Sequence, residues 1–378
     1  MSQNNIRTEV ENACNLEGQP LSKLSIEDIV NKYVDSETRQ GNPRLYETLL
    51  LEQNQLDFQT KFLKDHSHII TLPNRNNLNI RSCNNVGSEV LTNKPIYVFL
   101  PGLGGSLDQY EPLLRLMDIL NEKFIGFDLP GFGGSEEDTS EGGYNMIKVC
   151  HIINEALQSI ITQNYSTRDT IELRLVGHSM GCYLVLHFFN SFQTKTEYKI
   201  SQLILTSPPK KKIEPLDKNN RLNQFGLQLL YKLPIIQDFY RSWFDQPKGL
   251  KSVGIANFFY DTKEDTNNLS RLYRKLWQFY NNLRVKSSSI AGYLLGWEDL
   301  PWDELNDNLS TIDKIKIIII SGNEDYISPI KDVIEFQNSF RDIENVQLIC
   351  IDNCGHNLCF DKPEVVCKIL QDIATNTI

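Results

Sequence analysis

The chain has 378 residues, enough to bury a large core, and a formal net charge of −10. That acidic balance, without a broad basic surface, argues against a nucleic-acid partner. Eight cysteines in a large chain whose polar start, Met1-Ser2-Gln3-Asn4-Asn5, carries no secretory signal are expected to be reduced thiols in a cytosolic compartment. No apolar run reaches the ~18–20 residues that span a bilayer, so any membrane contact is expected to be peripheral.

Taken in chain order, residues 1–65 read as an N-terminal arm with short helices, Asn/Gln/Glu-rich to about residue 45, with one amphipathic helix at Ser25–Val34 that opens on a capping serine. From residue 66 the pattern turns to strands. His68–Leu72 and Leu78–Cys83 read as an antiparallel pair. Pro95–Leu100 is a continuous apolar run that ends in the loop Pro101-Gly102-Leu103-Gly104-Gly105. Phe124–Asp128 repeats that plan and ends in a second glycine-rich loop at Gly131–Gly134. Met146, Val149, Ile153, Leu157 and Ile160 fall at helical spacing. Leu173–Val176, Gln202–Thr206, Lys316–Ile320 and Val346–Ile351 supply the remaining strands. Strands alternating with helices predict an α/β fold with a mostly parallel, doubly wound, eight-stranded sheet. Residues 66–209 and 313–378 form that core. Residues 210–312 interrupt it with an aromatic-rich helical block holding all four tryptophans, placed to act as a cap.

Gly177-His178-Ser179-Met180-Gly181 carries the chemistry. G-x-S-x-G between a buried strand and a helix is a nucleophile elbow: the turn strains the serine backbone and lifts its hydroxyl above the sheet. The two glycines are needed where a Cβ would strike the strand or the helix. A serine is a poor nucleophile without a base, and the base needs an orienting acid. On such an elbow these follow in the order Ser, Asp or Glu, His, on loops after late strands. Asp325, three residues past Gly322, is the candidate acid, with Glu324 as the alternative. His356, after the last strand, is the candidate base. Of the other histidines, His66 and His68 precede the core sheet, His151 and His187 lie on helices, and His178 cannot swing back onto its neighbour's hydroxyl. The backbone N–H groups of Met180 and Leu103 are the candidate oxyanion donors.

Other readings are weaker. Neither glycine loop is G-x-G-x-x-G or carries the lysine of a phosphate loop. Cys350, Cys354, His356 and Cys359 lack metal-ligand spacing, so no metal or organic cofactor is expected. His356 and Asp361 form H-x-x-x-x-D, a pattern tied to acyl transfer onto lysolipids. The simpler reading is that Asp361 caps the last helix. Phe225, Leu229, Leu233, Ile236, Phe239 and Phe244 crowd one stretch beside Lys210-Lys211-Lys212. They suit either an interfacial helix on a lipid surface or a buried helix after a solvated turn, and Pro234 argues against one continuous helix.

The stretches Val98–Gly105, Gln109–Leu114, Phe127–Gly133, Val176–Cys182, Lys275–Phe279, Gly292–Glu298 and His356–Asp361 resemble the α/β-hydrolase superfamily and, within it, the lipid droplet hydrolases of yeasts. The resemblance covers about residues 66–374. It implies esterase activity, some lipase activity on neutral glycerolipids, residence on lipid droplets, and a Ser179–Asp325–His356 triad. The ending Asn376-Thr377-Ile378 differs from the Ser-Lys-Leu type of peroxisomal address seen in that family, so import by that route is not expected. The expected function is hydrolysis of acylglycerols or related lipid esters, with peripheral binding to a droplet or membrane. The alternatives are an acyltransferase on lysolipids at the same site and a non-catalytic droplet scaffold. Oligomeric state is not legible.

Overall fold

A computed structural model describes residues 61–87, 94–164, 171–195, 197–245, 252–262, 285–312, 315–341 and 343–375, with 274, 275, 277–279, 281 and 282. The arm helix expected at Ser25–Val34 lies outside these residues. The described residues open with α1 (Lys61–His66) and the strands β1 (Ser67–Leu72) and β2 (Leu78–Asn84). These strands pair antiparallel, Ile70 opposite Ile80. β3 (Ile96–Leu100), α2 (Glu111–Ile119) and β4 (Lys123–Phe127) follow, then α3 (Met146–Asn164), β5 (Ile171–His178), α4 (Met180–Phe192) and β6 (Tyr198–Thr206). Between β6 and β7 (Lys316–Gly322) lie α5 (Arg221–Lys232), α6 (Pro234–Tyr240), a π turn (Arg241–Asp245), α7 (Val253–Ala256), α8 (Ser287–Leu295) and α9 (Trp302–Ser310). The chain then forms α10 (Ile330–Gln337), β8 (Val346–Ile351), α11 (Leu358–Asp361) and α12 (Pro363–Ala374).

The eight strands form one sheet in the order β1-β2-β4-β3-β5-β6-β7-β8. β1, β2 and β4 pair antiparallel, and every neighbour pair from β4 through β3 to β8 is parallel. The expected sheet is therefore present. Its central strands are covered on both faces, which is why they read as unbroken apolar runs. Along β3, Ile96, Val98 and Leu100 point into one hydrophobic layer, and Tyr97 and Phe99 into the other. The first layer holds α3, α4, α9 and α10 through residues such as Val149, Leu184, Leu305 and Phe336. The second holds α1, α2 and α12 through Leu63, Leu114 and Leu370. Each such fully buried aliphatic or aromatic side chain stabilises the fold by roughly 1.5–3 kcal/mol.

Pro234 is the first residue of α6, where its missing N–H is harmless, and it divides α5 from α6. The stretch is thus two helices. α5 and α6 have no fully buried residue, so the buried-helix alternative for this stretch does not hold. Asp361 does not cap the last helix. The N-cap of α12 is Lys362, without a side-chain cap bond. Asp361 instead is buried and accepts hydrogen bonds from the N–H groups of Gly355, at 2.5 Å, and Tyr260, at 3.0 Å. Two inward-pointing main-chain donors need an acceptor there more than an exposed helix end does.

Candidate active site

The elbow is built by close approach of backbone. A Cβ on Gly181 would lie 2.2 Å from the Leu100 carbonyl oxygen, and one on Gly177 would lie 2.5 Å from the Gly181 carbonyl oxygen. No side chain fits either place, so β3, β5 and α4 can converge only on glycine. Ser179, between them, has φ 52° and ψ −121°. This is a costly backbone state for a non-glycine residue, of order 1–3 kcal/mol, held by the surrounding sheet. The Ser179 N–H donates to the Thr206 carbonyl at 2.9 Å, which anchors the turn to β6.

Ser179 lines a cavity of about 340 Å³, together with Leu103, His178 and His356. The His356 Nδ1 is 2.8 Å from Asp325 Oδ2, and both side chains are buried. The other carboxylate oxygen of Asp325 accepts the N–H groups of Ile327 and Ser328, each at 2.8 Å. Those two bonds lock the carboxylate against the ring. Glu324, on the same loop, is half-buried and gives its N–H to the Cys354 carbonyl. It is Asp325 that meets the imidazole. The His356 loop is pinned twice more: Ser207 Oγ donates to the His356 carbonyl at 3.1 Å, and the Asn357 N–H donates to the Phe258 carbonyl at 2.9 Å.

Leu103 sits in the turn after β3, which closes with a 3.0 Å bond from the Gly105 N–H to the Gly102 carbonyl. Among the described residues no backbone carbonyl takes the Leu103 N–H. Met180 opens α4, so its N–H has no intrahelical acceptor. A Cβ on Gly102 would be 3.0 Å from the Ser179 Cβ, so this loop and the elbow are in contact.

His178 lines the same cavity, its ring 5.0 Å from that of His356 and its Nδ1 3.3 Å from Thr206 Oγ1. Burial, with the neighbouring His356 second, pushes its pKa down to about 3, so the ring is neutral. His187 is a structural group, its Nε2 3.0 Å from the Glu298 carbonyl. His151 is exposed on α3. Among the described residues no three His, Cys, Asp or Glu side chains are grouped to hold one metal ion.

Two networks around the cavity have no sequence signature. The first is a chain of amides. Gln109 Nε2 and Asn357 Nδ2 both donate to Gln278 Oε1, at 3.0 and 2.7 Å, and Gln278 Nε2 donates to Asn282 Oδ1 at 2.8 Å. It ties the loop after β3, the His356 loop and the segment inserted after β6 into one wall. The second is ionic. Asp128 is fully buried and accepts the Leu107 N–H at 2.7 Å and the Gly134 N–H at 2.8 Å. Arg81 bridges Asp128, at 3.0 Å, and Asp108, at 2.9 Å. Burial, against the attraction of Arg81, pushes the Asp108 carboxyl up to about 6. This network holds both glycine-rich loops in place.

A protein family described as the alpha/beta hydrolase fold matches residues 95–363. Lipid droplet hydrolase 1 of Saccharomyces cerevisiae is 36% identical to this chain over 365 residues, covering 93% of this chain and 94% of that protein. Among solved structures, a serine hydrolase from the bacterium Cycloclasticus zankles aligns over 82% of this chain and 98% of its own, at 16% identity and a TM-score of 0.56. The esterase from Exiguobacterium antarcticum aligns over 81% of this chain and 98% of its own, at 20% identity and a TM-score of 0.53. These two likenesses are of fold. With the family match running from β3 to the start of α12, around the elbow and the His356 loop alike, the chain belongs to the alpha/beta hydrolase fold family.

Proposed function

We propose that the chain is a carboxylic-ester hydrolase acting on acylglycerols or related lipid esters. The reading rests on one observation: the 2.8 Å contact of His356 Nδ1 with Asp325, in a cavity also lined by the strained Ser179. In this reading Ser179 Oγ attacks the ester carbonyl while His356 Nε2 takes its proton. Asp325 fixes the ring tautomer with Nδ1–H toward the carboxylate and stabilises the imidazolium as it forms. The N–H groups of Leu103 and Met180 receive the developing oxyanion. His356 returns the proton to the departing alcohol. It then activates a water that releases the acid from the acyl-enzyme.

The lipid class is supported by the name of the yeast relative and by an apolar wall of Leu103, Val285 and Ile290 in the cavity. In this reading the helices inserted between β6 and α9 act as the cap over it, and the protein associates peripherally with a droplet or membrane. Ser179→Ala should abolish labelling by a fluorophosphonate probe and lower ester turnover by about 10⁶-fold while leaving the fold intact. Persistent labelling of the variant would sink the assignment. A panel of short esters, monoacylglycerol, triacylglycerol and phospholipid tests the substrate class; turnover confined to short soluble esters would overturn it.

A further inference from the structure

The segment Arg221–Asp245 carries two apolar faces, and among the described residues the rest of the molecule packs against one. On α5, Leu227 and Tyr231 pack inward against the core. Leu222, Phe225 and Leu229 recur at i, i+3 and i+7 and are exposed, Leu222 by 79% and Phe225 by 65%. The outward stripe runs on past Pro234 through Ile235 and Phe239 of α6 to Trp243 and Phe244 of the π turn. Its rings are stacked on one another, Phe239 on Trp243 at 5.7 Å and Tyr240 on Phe244 at 5.9 Å. A contiguous apolar surface of this extent on a globular protein marks a contact site.

We propose that this face docks the enzyme on a phospholipid-covered lipid surface and sets the mouth of the catalytic cavity against it. Three observations select that occupant. First, the face is continuous with the cavity: Arg241, in the same turn as Trp243, lines it, and donates to the carbonyl of Val285 on its wall and to Ser287 Oγ at the start of α8. Second, the face ends in Trp and Tyr rings, amphipathic groups suited to the boundary between headgroups and acyl chains. Third, with Arg241 turned onto the cavity wall, Arg221 and Lys232 balance Asp238 and Asp245, so the segment is neutral in a chain of net charge −10. This face can therefore approach anionic headgroups that would repel the chain's net charge. The inference rests on the lipid-ester reading of the cavity and names where the substrate-bearing surface sits.

The test is flotation of the full-length protein with triacylglycerol emulsion droplets coated with phosphatidylcholine and phosphatidylserine. The variant Phe225→Ser/Phe239→Ser/Trp243→Ser should float at least tenfold less than the wild type. Its turnover of a water-soluble short-chain ester should stay within twofold, because none of the three side chains is in the catalytic machinery. Equal flotation of variant and wild type overturns the proposal. So does a wild-type dimer in sedimentation that the substitutions dissolve, since a second copy then covers the face. A second readout uses Trp243, exposed by 69% while Trp277 and Trp297 are buried and Trp302 half-buried. Vesicles of the same lipids should shift the tryptophan emission to the blue, and Trp243→Phe should remove the shift; no shift in the wild type overturns docking through this face. Failure of the catalytic reading is separable: it appears as absent ester turnover by the wild type, while flotation still decides the docking face.

Discussion

Asp325 divides its two oxygens between a ring nitrogen and two main-chain N–H groups. Asp325→Asn keeps the size of the side chain and can offer an N–H where His356 Nδ1 needs an acceptor, which favours the wrong tautomer. We expect kcat on a soluble ester to fall by about 10⁴-fold with little change in KM, measured by steady-state kinetics; a loss below tenfold would reassign the acid. Asp361 is a different kind of carboxylate, because its known contacts are with the backbone of Gly355 and Tyr260. Asp361→Leu strands both donors, at about 1–3 kcal/mol each, and should lower the thermal midpoint clearly. Asp361→Asn retains an acceptor and should recover most of it. A variant that unfolds like the wild type yet loses acyl transfer to a lysolipid would restore the H-x-x-x-x-D reading.

Among the elements, the elbow and α5 give opposite expectations for the same change. Gly181→Ala drives a Cβ to 2.2 Å from the Leu100 carbonyl, backbone that cannot move without parting β3 from β5. It should cost ~3 kcal/mol or more, or leave the protein insoluble. Gly226, inside α5, has nothing within 4 Å of an added Cβ, so Gly226→Ala should stabilise by roughly 0.5–1 kcal/mol. Chemical denaturation of both variants checks the pair. The same elements show what could be read in advance. The strand–glycine–serine–glycine–helix order was legible because its signals are local. The sheet followed from unbroken runs such as Ile96–Leu100, each long enough for one buried strand. Strand ends were not legible: β5 runs on through Gly177 and His178 because their backbones pair with Leu205 and Thr206 of β6. Nor was the amide wall, where Gln109 and Gln278 meet across 169 residues of chain with no local pattern to mark either. Asp361 was misread for a related reason. Its neighbours Lys362 and Pro363 advertise a helix start, while its real partners, Gly355 and Tyr260, are set by tertiary packing.

For the whole molecule, two half-buried groups, one on the cavity wall and one in the Arg81 network, pull the pH dependence of stability in opposite directions. The His178 pKa falls from 6.5 to about 3 on folding, so its stabilising contribution is complete above pH 6.5 and is lost as pH falls toward 3. His187, lowered by burial, has the same sign. The Asp108 pKa rises from 3.8 to about 6, so its contribution is complete below pH 3.8 and is lost as pH rises through 6. Between pH 4 and 6 the His178 and Asp108 contributions largely offset. His178→Gln should tilt the balance toward acid stability by up to about 1.4 kcal/mol per pH unit in that window, read from urea midpoints between pH 4.5 and 7.5. Unchanged slopes would mean that His178 titrates alike folded and unfolded. The sheet also carries a consequence for the protein's first minute. β8, the last strand in the chain, lies at the sheet's edge, and His356 follows it. On the ribosome Ser179 is made roughly 10–35 s before His356. Under the proposed mechanism the growing chain then holds the nucleophile without its base, so the newborn polypeptide should remain inert toward an ester probe until His356 has been made.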